Sequence, residues 1–194
     1  MAFGLTEAQF EAIKDEAYVN PLFVPGKIFQ GDQLIRDNVL MRFNAYADEI
    51  EIKKNSTATN FSALVKDPDI FVKIANDVYV LVPFRGSNAN GGYFNVLSDG
   101  KTYDLYKKTT AVYRKPRKAR TTYDSDIPPS FDKTTTYYLV KDGTFLEMPN
   151  RKSKLLNMMS QKKDEIKDYI KQNKLDLDKE KDLIDVISYF DSLL

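Results

Sequence analysis

Between residues 24 and 148 the chain is cut every few residues by turn-forming pairs, and no stretch between them carries the length and spacing of a crossover helix. Antiparallel strands close through turns of a few residues, whereas parallel neighbours need a connection of about a dozen or more. The pattern therefore predicts an antiparallel meander and excludes a doubly wound sheet. Its clearest piece is Gly26 to Lys54. Apolar and polar residues alternate with period two from Val39 to Phe43 and again from Ile50 to Lys53. Asn44 to Glu49 between them supplies Asn and Asp, which form turns through local side-chain hydrogen bonds, although the Asn-Gly or Asp-Gly pair of a tight hairpin is missing.

The rest of the region repeats this design. After Asn55-Ser56, Thr57 to Val65 reads as a strand that buries Phe61 and Leu64 or Val65. Asp67-Pro68-Asp69 turns the chain into Ile70 to Ile74, and Asn76-Asp77 leads on to Val78 to Phe84. Val78, Val80 and Val82 alternate with Tyr79, Leu81 and Pro83, so both faces are apolar, as in an interior strand that ends at Pro83. Arg85 to Gly92 holds three Gly and two Asn, yet lacks the Lys-Ser/Thr of a P-loop, so a hairpin loop is expected there. Tyr93 to Leu97 and Tyr103 to Lys107 pair across Asp99-Gly100. Thr134 to Val140 and Thr144 to Met148 pair across Asp142-Gly143.

The two ends differ from this middle. Residues 1–20 form an N-terminal arm in which Thr6 to Tyr18 is compatible with a helix capped by Thr6. From 151 to 194 Gly and Pro vanish, and Ser153 to Met159, Lys162 to Asn173 and Lys179 to Leu193 have helical spacing. Leu183, Ile187, Phe190 and Leu194 share one face of the last helix, with Asp178 placed as its N-cap, and Ile166, Tyr169 and Ile170 make a narrower stripe on the helix before. The expectation is one α+β domain over 1–194: a mostly antiparallel sheet over 24–148, curved or partly closed as a barrel, with C-terminal helices packed on it.

Composition bears on function mainly through two absences. The chain has no Cys and no His. That removes disulfides, thiolate metal sites, the Cys nucleophile and the commonest general base, while carboxylate-only chemistry survives. The 29 basic and 28 acidic residues leave a net charge of +1, so no overall field gathers nucleic acid. No run reaches the roughly 18 apolar residues that span a bilayer. The start has neither a basic n-region nor an apolar core, which is expected either of a cytoplasmic protein or of an exported one whose leader is replaced by a starting methionine.

Charge is nevertheless concentrated locally. Lys101 to Arg120 contains eight basic residues against Asp104 alone, with Tyr103, Tyr106 and Tyr113 interleaved. Lys107, Lys108, Arg114, Lys115, Arg117, Lys118 and Arg120 would supply charge to a polyanion, with Tyr106 and Tyr113 as stacking surfaces. The same residues also suit a solvated strand pair whose edge is protected by Lys and Arg. Thr121 to Lys133 is placed as an extended loop whose acids fold back on this arm. Two carboxylate pairs, Asp48 with Glu49 and Asp124 with Asp126, lie in turn or Pro-rich segments, where acids usually serve the turn itself. The segment DSDIP lacks the Gly and closing Glu of an EF-hand loop. The sequence requires no cofactor and no metal.

Several segments together resemble a family of small exported proteins of unknown function from Bacteroidota, of the flavobacterial type. They are Gly26-Lys27-Ile28, Asn38 to Lys53, Gly100-Lys101 with Leu105 to Lys108, Tyr137 to Val140 with Asp142-Gly143, and Ile166 to Asn173 with Asp182 to Phe190. The resemblance implies a periplasmic or outer-membrane-associated place in the cell envelope and carries over no catalytic residue. The expectation is a non-enzymatic binding or structural module that presents a sheet face or the basic arm to an envelope protein or an anionic glycan or lipid. A lipocalin-like carrier and a carboxylate-dependent hydrolase are the alternatives. The first needs an apolar cavity in a barrel mouth and the second two acids facing across a cleft.

Overall fold

The computed structural model describes residues 4–83, 91–121, 123–149 and 151–194. Ten strands follow one another: β1 Val24–Gln30, β2 Gln33–Asn44, β3 Glu49–Lys53, β4 Ser62–Ala63, β5 Ile70–Ile74, β6 Asp77–Val82, β7 Gly92–Ser98, β8 Asp104–Arg114, β9 Ser130–Lys141 and β10 Thr144–Glu147. Helix α1, Glu7–Ile13, precedes them, and α2 Lys152–Met158, α3 Lys163–Gln172 and α4 Glu180–Ser192 follow. The strands form one antiparallel sheet in the order β10-β9-β8-β7-β6-β5-β1-β2-β3-β4. That sheet is open, with β4 and β10 as its edges, so the partly closed form does not occur. Among the described residues no helix is long and apolar enough to cross a membrane. Most of the expected loop at Arg85 to Gly92 lies outside the described residues.

The residues gather into two compact units, Met1–Phe94 with Thr109–Thr135 and Asn95–Lys108 with Thr136–Leu194. The core of the first contains Ile28, Met41, Phe43, Ile50, Val72 and Tyr93, all buried. Tyr18, Phe23 and Phe61 surround the Arg42 guanidinium at 3.8, 4.3 and 5.3 Å from their ring centres. Arg42 Nε also donates to Glu51 Oε2 at 2.7 Å, one guanidinium nitrogen donates to the Pro21 carbonyl, and another to the Tyr18 hydroxyl. A carboxylate as buried as Glu51, 3% exposed, needs such partners. This box ties residues 18–23 to β2 and β3.

The core of the second unit sets Leu105 and Leu139 of the strands against Leu155, Ile166, Ile170, Val186, Ile187 and Phe190 of the helices. Val186 and Ile187 are fully buried, and burial of each contributes roughly 1.5–3 kcal/mol. A polar clamp reinforces the packing. The Asp191 carboxylate accepts the backbone N–H groups of Lys101, Thr102 and Tyr103 at 2.6, 2.9 and 2.8 Å. Burial pushes its pKa up, and the three hydrogen bonds, aided by the Lys101 charge, outweigh that and hold it below the usual carboxylate range.

Several local expectations need correction. The strand over Thr57 to Val65 contracts to the two residues of β4, and Phe61 and Val65 are exposed, leaving only Leu64 half-buried. Asn55 and Thr57 spend their polar groups on a local turn, with the Thr57 hydroxyl on Asn55 Oδ1 and the Ala58 N–H on the Asn55 carbonyl, in competition with sheet pairing. The β5–β6 turn is Ala75-Asn76, one residue earlier than the expected pair, because Ile74 pairs with Asp77. Asp178 does not cap α4; that position falls to Lys179, which makes no side-chain cap, while Asp182 accepts the Asp176 N–H. Leu194 is exposed, one residue beyond the buried face. Asp142-Gly143 forms the β9–β10 turn as the sequence predicts, both residues at positive φ, which Gly143 adopts without steric cost.

Candidate functional site

The first unit contains a groove between α1 and the loop that joins β8 to β9, with a volume of about 480 Å3. The sequence builds its first wall through the capping box of α1. Thr6 Oγ1 accepts the Gln9 N–H while Gln9 Oε1 accepts the Thr6 N–H at 3.0 Å, which satisfies donors at the start of the helix. Ile13 is buried in the core, and Gln9 and Ala12 line the groove beside it. After the helix, a short 3-10 turn brings Glu16 to accept the Phe131 N–H at 2.8 Å, and the Tyr18 carbonyl accepts from Lys133. These bonds hold the start of β9 against the N-terminal segment.

The other wall is a folded-back loop. Arg117 and Ile127 exchange two backbone hydrogen bonds at 2.9 and 2.8 Å. Asp126 accepts the Ala119 N–H at 2.9 Å and pairs with Lys118 at 2.6 Å. Those contacts hold the Asp126 pKa below and the Lys118 pKa above their ordinary values, the hydrogen bond between them being the main cause in each. Pro116, Pro128 and Pro129 stiffen both arms and, with Ile127, give this wall its apolar surface.

The expected binding residues are distributed over both units. Arg114, Arg117 and Lys118 are exposed and belong to the first unit, where Arg114 pairs with Asp132 and Lys118 with Asp126, so acids of 121–133 do fold back on the basic arm. Lys115 and Arg120 are exposed on the same loop, and with Arg117 they have no ion pair among the described residues. Tyr113 is half-buried with its ring against Phe131 at 5.5 Å. Tyr106, Lys107 and Lys108 are half-buried strand residues of the second unit. There Lys107 Nζ lies 2.8 Å from Glu180, which also accepts the Tyr137 hydroxyl at 3.0 Å. Burial and Glu180 push the Tyr137 pKa up to about 12. The Tyr106 ring packs edge-on against Phe145, and burial raises its pKa. The rings of Tyr106 and Tyr113 are thus both in contact with the sheet's own aromatics.

One member of each carboxylate pair serves the backbone. Asp48 accepts the Tyr93 N–H at 3.1 Å, and Asp126 is engaged by Lys118 and Ala119. Among the described residues no cluster of three or more His, Cys, Asp or Glu is arranged to hold a metal. Sequence reasoning did not find Gln9, Ala12, Ile13 and the three prolines as groove residues. The signals were present in the Thr-x-x-Gln capping pattern and in the prolines within and after the basic run. Compared with known proteins, the chain matches no family model, no curated protein and no solved structure.

Proposed function

We propose that the chain is a non-enzymatic binding module that takes an anionic lipid into the α1 groove, in the cell-envelope setting that the resemblance implies. One observation carries this reading: an apolar wall of Ala12, Ile13, Pro116, Ile127 and Pro128 beside Arg117, a cation with no ion pair among the described residues, with Lys115 and Arg120 exposed on the same loop. An acyl chain fits the first feature and a phosphate or carboxylate head the second. A glycan would leave the apolar wall in water, which favours lipid among the anionic partners. The volume lies within the roughly 300–1,000 Å3 of small-molecule sites.

The test is co-flotation with vesicles of anionic phosphatidylglycerol and of neutral phosphatidylcholine. Binding to the anionic vesicles alone is expected, weakening as salt is added. It should be lost on charge reversal at Arg114, Lys115, Arg117 and Lys118, and weakened by Ala12→Phe, which fills the groove without changing charge. Equal binding to both vesicles, insensitivity to salt, or an unaffected Ala12→Phe variant would overturn the proposal.

A further inference from the structure

A second site lies elsewhere in the first unit, along β2, and shares no lining residue with the groove. β2 runs for 12 residues, but β3 pairs only with Leu40 to Asn44. On the side away from β1, the backbone from Gln33 to Val39 therefore has no strand partner among the described residues. Every residue from Gln33 to Asn38 is exposed, including Leu34 at 48% and Ile35 at 50%. Natural edges are normally blunted by prolines, charged side chains, bulges or a covering segment, because unpaired N–H and C=O groups recruit another strand. Gln33 to Val39 holds no proline and no lysine; it carries the charges of Arg36 and Asp37 and an irregular register with β1 beside them, which leaves Gln33 to Ile35 without such a device.

A cleft of about 730 Å3 lies beside the Arg36 to Val39 part of this vacant edge. Arg36 and Val39 form its side, Lys53 and Lys54 the end where β3 stops, and Thr59 and Phe61 the opposite wall. A chain entering it would continue the line of β3 and pair with β2. The charge of the cleft is one-sided. Arg36, Lys53 and Lys54 line it against a single acid, Asp37, which Lys27 already faces at 3.4 Å.

We propose that the vacant edge of β2 is a strand-addition site for an extended acidic peptide segment of a partner protein. Main-chain hydrogen bonds to Gln33 to Val39, apart from Asn38, whose N–H donates to Asp37 Oδ1 at 2.7 Å and whose φ is positive, hold the segment, Leu34, Ile35 and Phe61 offer contact to its apolar residues, and Arg36, Lys53 and Lys54 pair its acids.

The probe is a short capped peptide of alternating glutamate and valine at pH 7, with backbone hydrogen exchange as the readout. Binding is expected to slow exchange selectively within residues 33–39. Arg36→Glu with Lys54→Glu should weaken the peptide at least about tenfold by placing like charges together. A version N-methylated at alternate amides should lose binding, as should a lysine-valine peptide. Circular dichroism of the charge variant checks that it is folded. If that variant unfolds, the two control peptides on the wild type still decide the matter. Absence of binding, protection elsewhere but not at 33–39, or equal binding of either control peptide would overturn the proposal. So would slowed exchange at 33–39 that rises with protein concentration alone, since the occupant would then be a second copy of the chain.

Discussion

Asp191→Asn is the substitution that most directly tests how the second unit is held together. The side chain is 7% exposed and its two oxygens receive three backbone N–H groups from the β7–β8 loop. Asparagine keeps the shape and the oxygen that faces Thr102 and Tyr103, but it changes both bonds from charge-assisted to neutral, a loss of roughly 1 kcal/mol each. The amide nitrogen then meets the Lys101 N–H donor to donor, costing roughly 1–3 kcal/mol more. The expected total is about 3 kcal/mol after some relaxation of the loop. With a urea slope of roughly 2 kcal/mol per molar, the midpoint falls by about 1.5 M. The pH dependence separates this account from simple misfit. A carboxyl whose folded pKa is lowered stabilises above its unfolded value of about 3.9, and that contribution disappears as pH falls through the folded value. The gap between wild type and variant should be constant from pH 8 to about 5, begin to narrow near the unfolded value of about 3.9, and close only as pH falls through the lower folded value, where wild type also carries a neutral acid. Gly100→Ala should be comparably damaging, because an added Cβ would meet the Tyr103 carbonyl and lie 2.7 Å from Asp191 Oδ2. A midpoint shift below about 0.3 M, or a gap that ignores pH, would refute the clamp.

Two further outcomes follow from buried polar groups. Arg42→Ala strands the Glu51 carboxylate and should cost about 3–5 kcal/mol in urea unfolding, whereas Arg42→Met with Glu51→Gln should recover more than half; a single-variant cost under about 1 kcal/mol would show that the aromatic box does not need its cation. Burial, with Glu51 at Tyr18, Asp48 at Tyr93 and Glu180 at Tyr137, pushes these three hydroxyls up to about 12. Phenolate absorbance should therefore show a late-titrating class. Because their folded values lie above the unfolded value of about 10, their contribution to stability is complete below that pH and is lost as pH rises through about 12. A titration with all tyrosines near 10 in the folded protein would refute it.

Elements defined by local chemistry were legible in the sequence. The Thr6 cap of α1, the Asp-Gly turn between β9 and β10 and the apolar stripe of α4 each depend on residues a few positions apart, so pattern reading reached them. The errors arise where distant partners decide. Phe61 was read as buried because its neighbourhood looks strand-like, but its ring sits over Arg42, a residue 19 positions earlier, and stays exposed at a sheet edge. Glu51 alternates like a solvent-facing residue and is buried because Arg42, Asn44 and Tyr18 satisfy it. The anchoring of Asp191 spans about ninety residues and leaves no local trace.

The basic segment shows why a charge count is a poor guide to a site. The run from Lys101 to Arg120 is concentrated in sequence, but strand geometry and returning acids divide it. Lys107 turns to Glu180 in the second unit, while Arg114 and Lys118 are met by Asp132 and Asp126 in the first. On the first unit's loop, the cations without an ion pair among the described residues are the smaller set Lys115, Arg117 and Arg120, and only Arg117 of these also lines an apolar groove. The edge of β2 presents the converse case. Arg36, Lys53 and Lys54 form no basic run, since 16 residues separate the first two, and pairing of β2 with β3 brings them into one cleft beside an unpaired backbone. Both binding proposals rest on the charge that the sheet leaves unneutralised and the backbone that it leaves without a strand partner among the described residues.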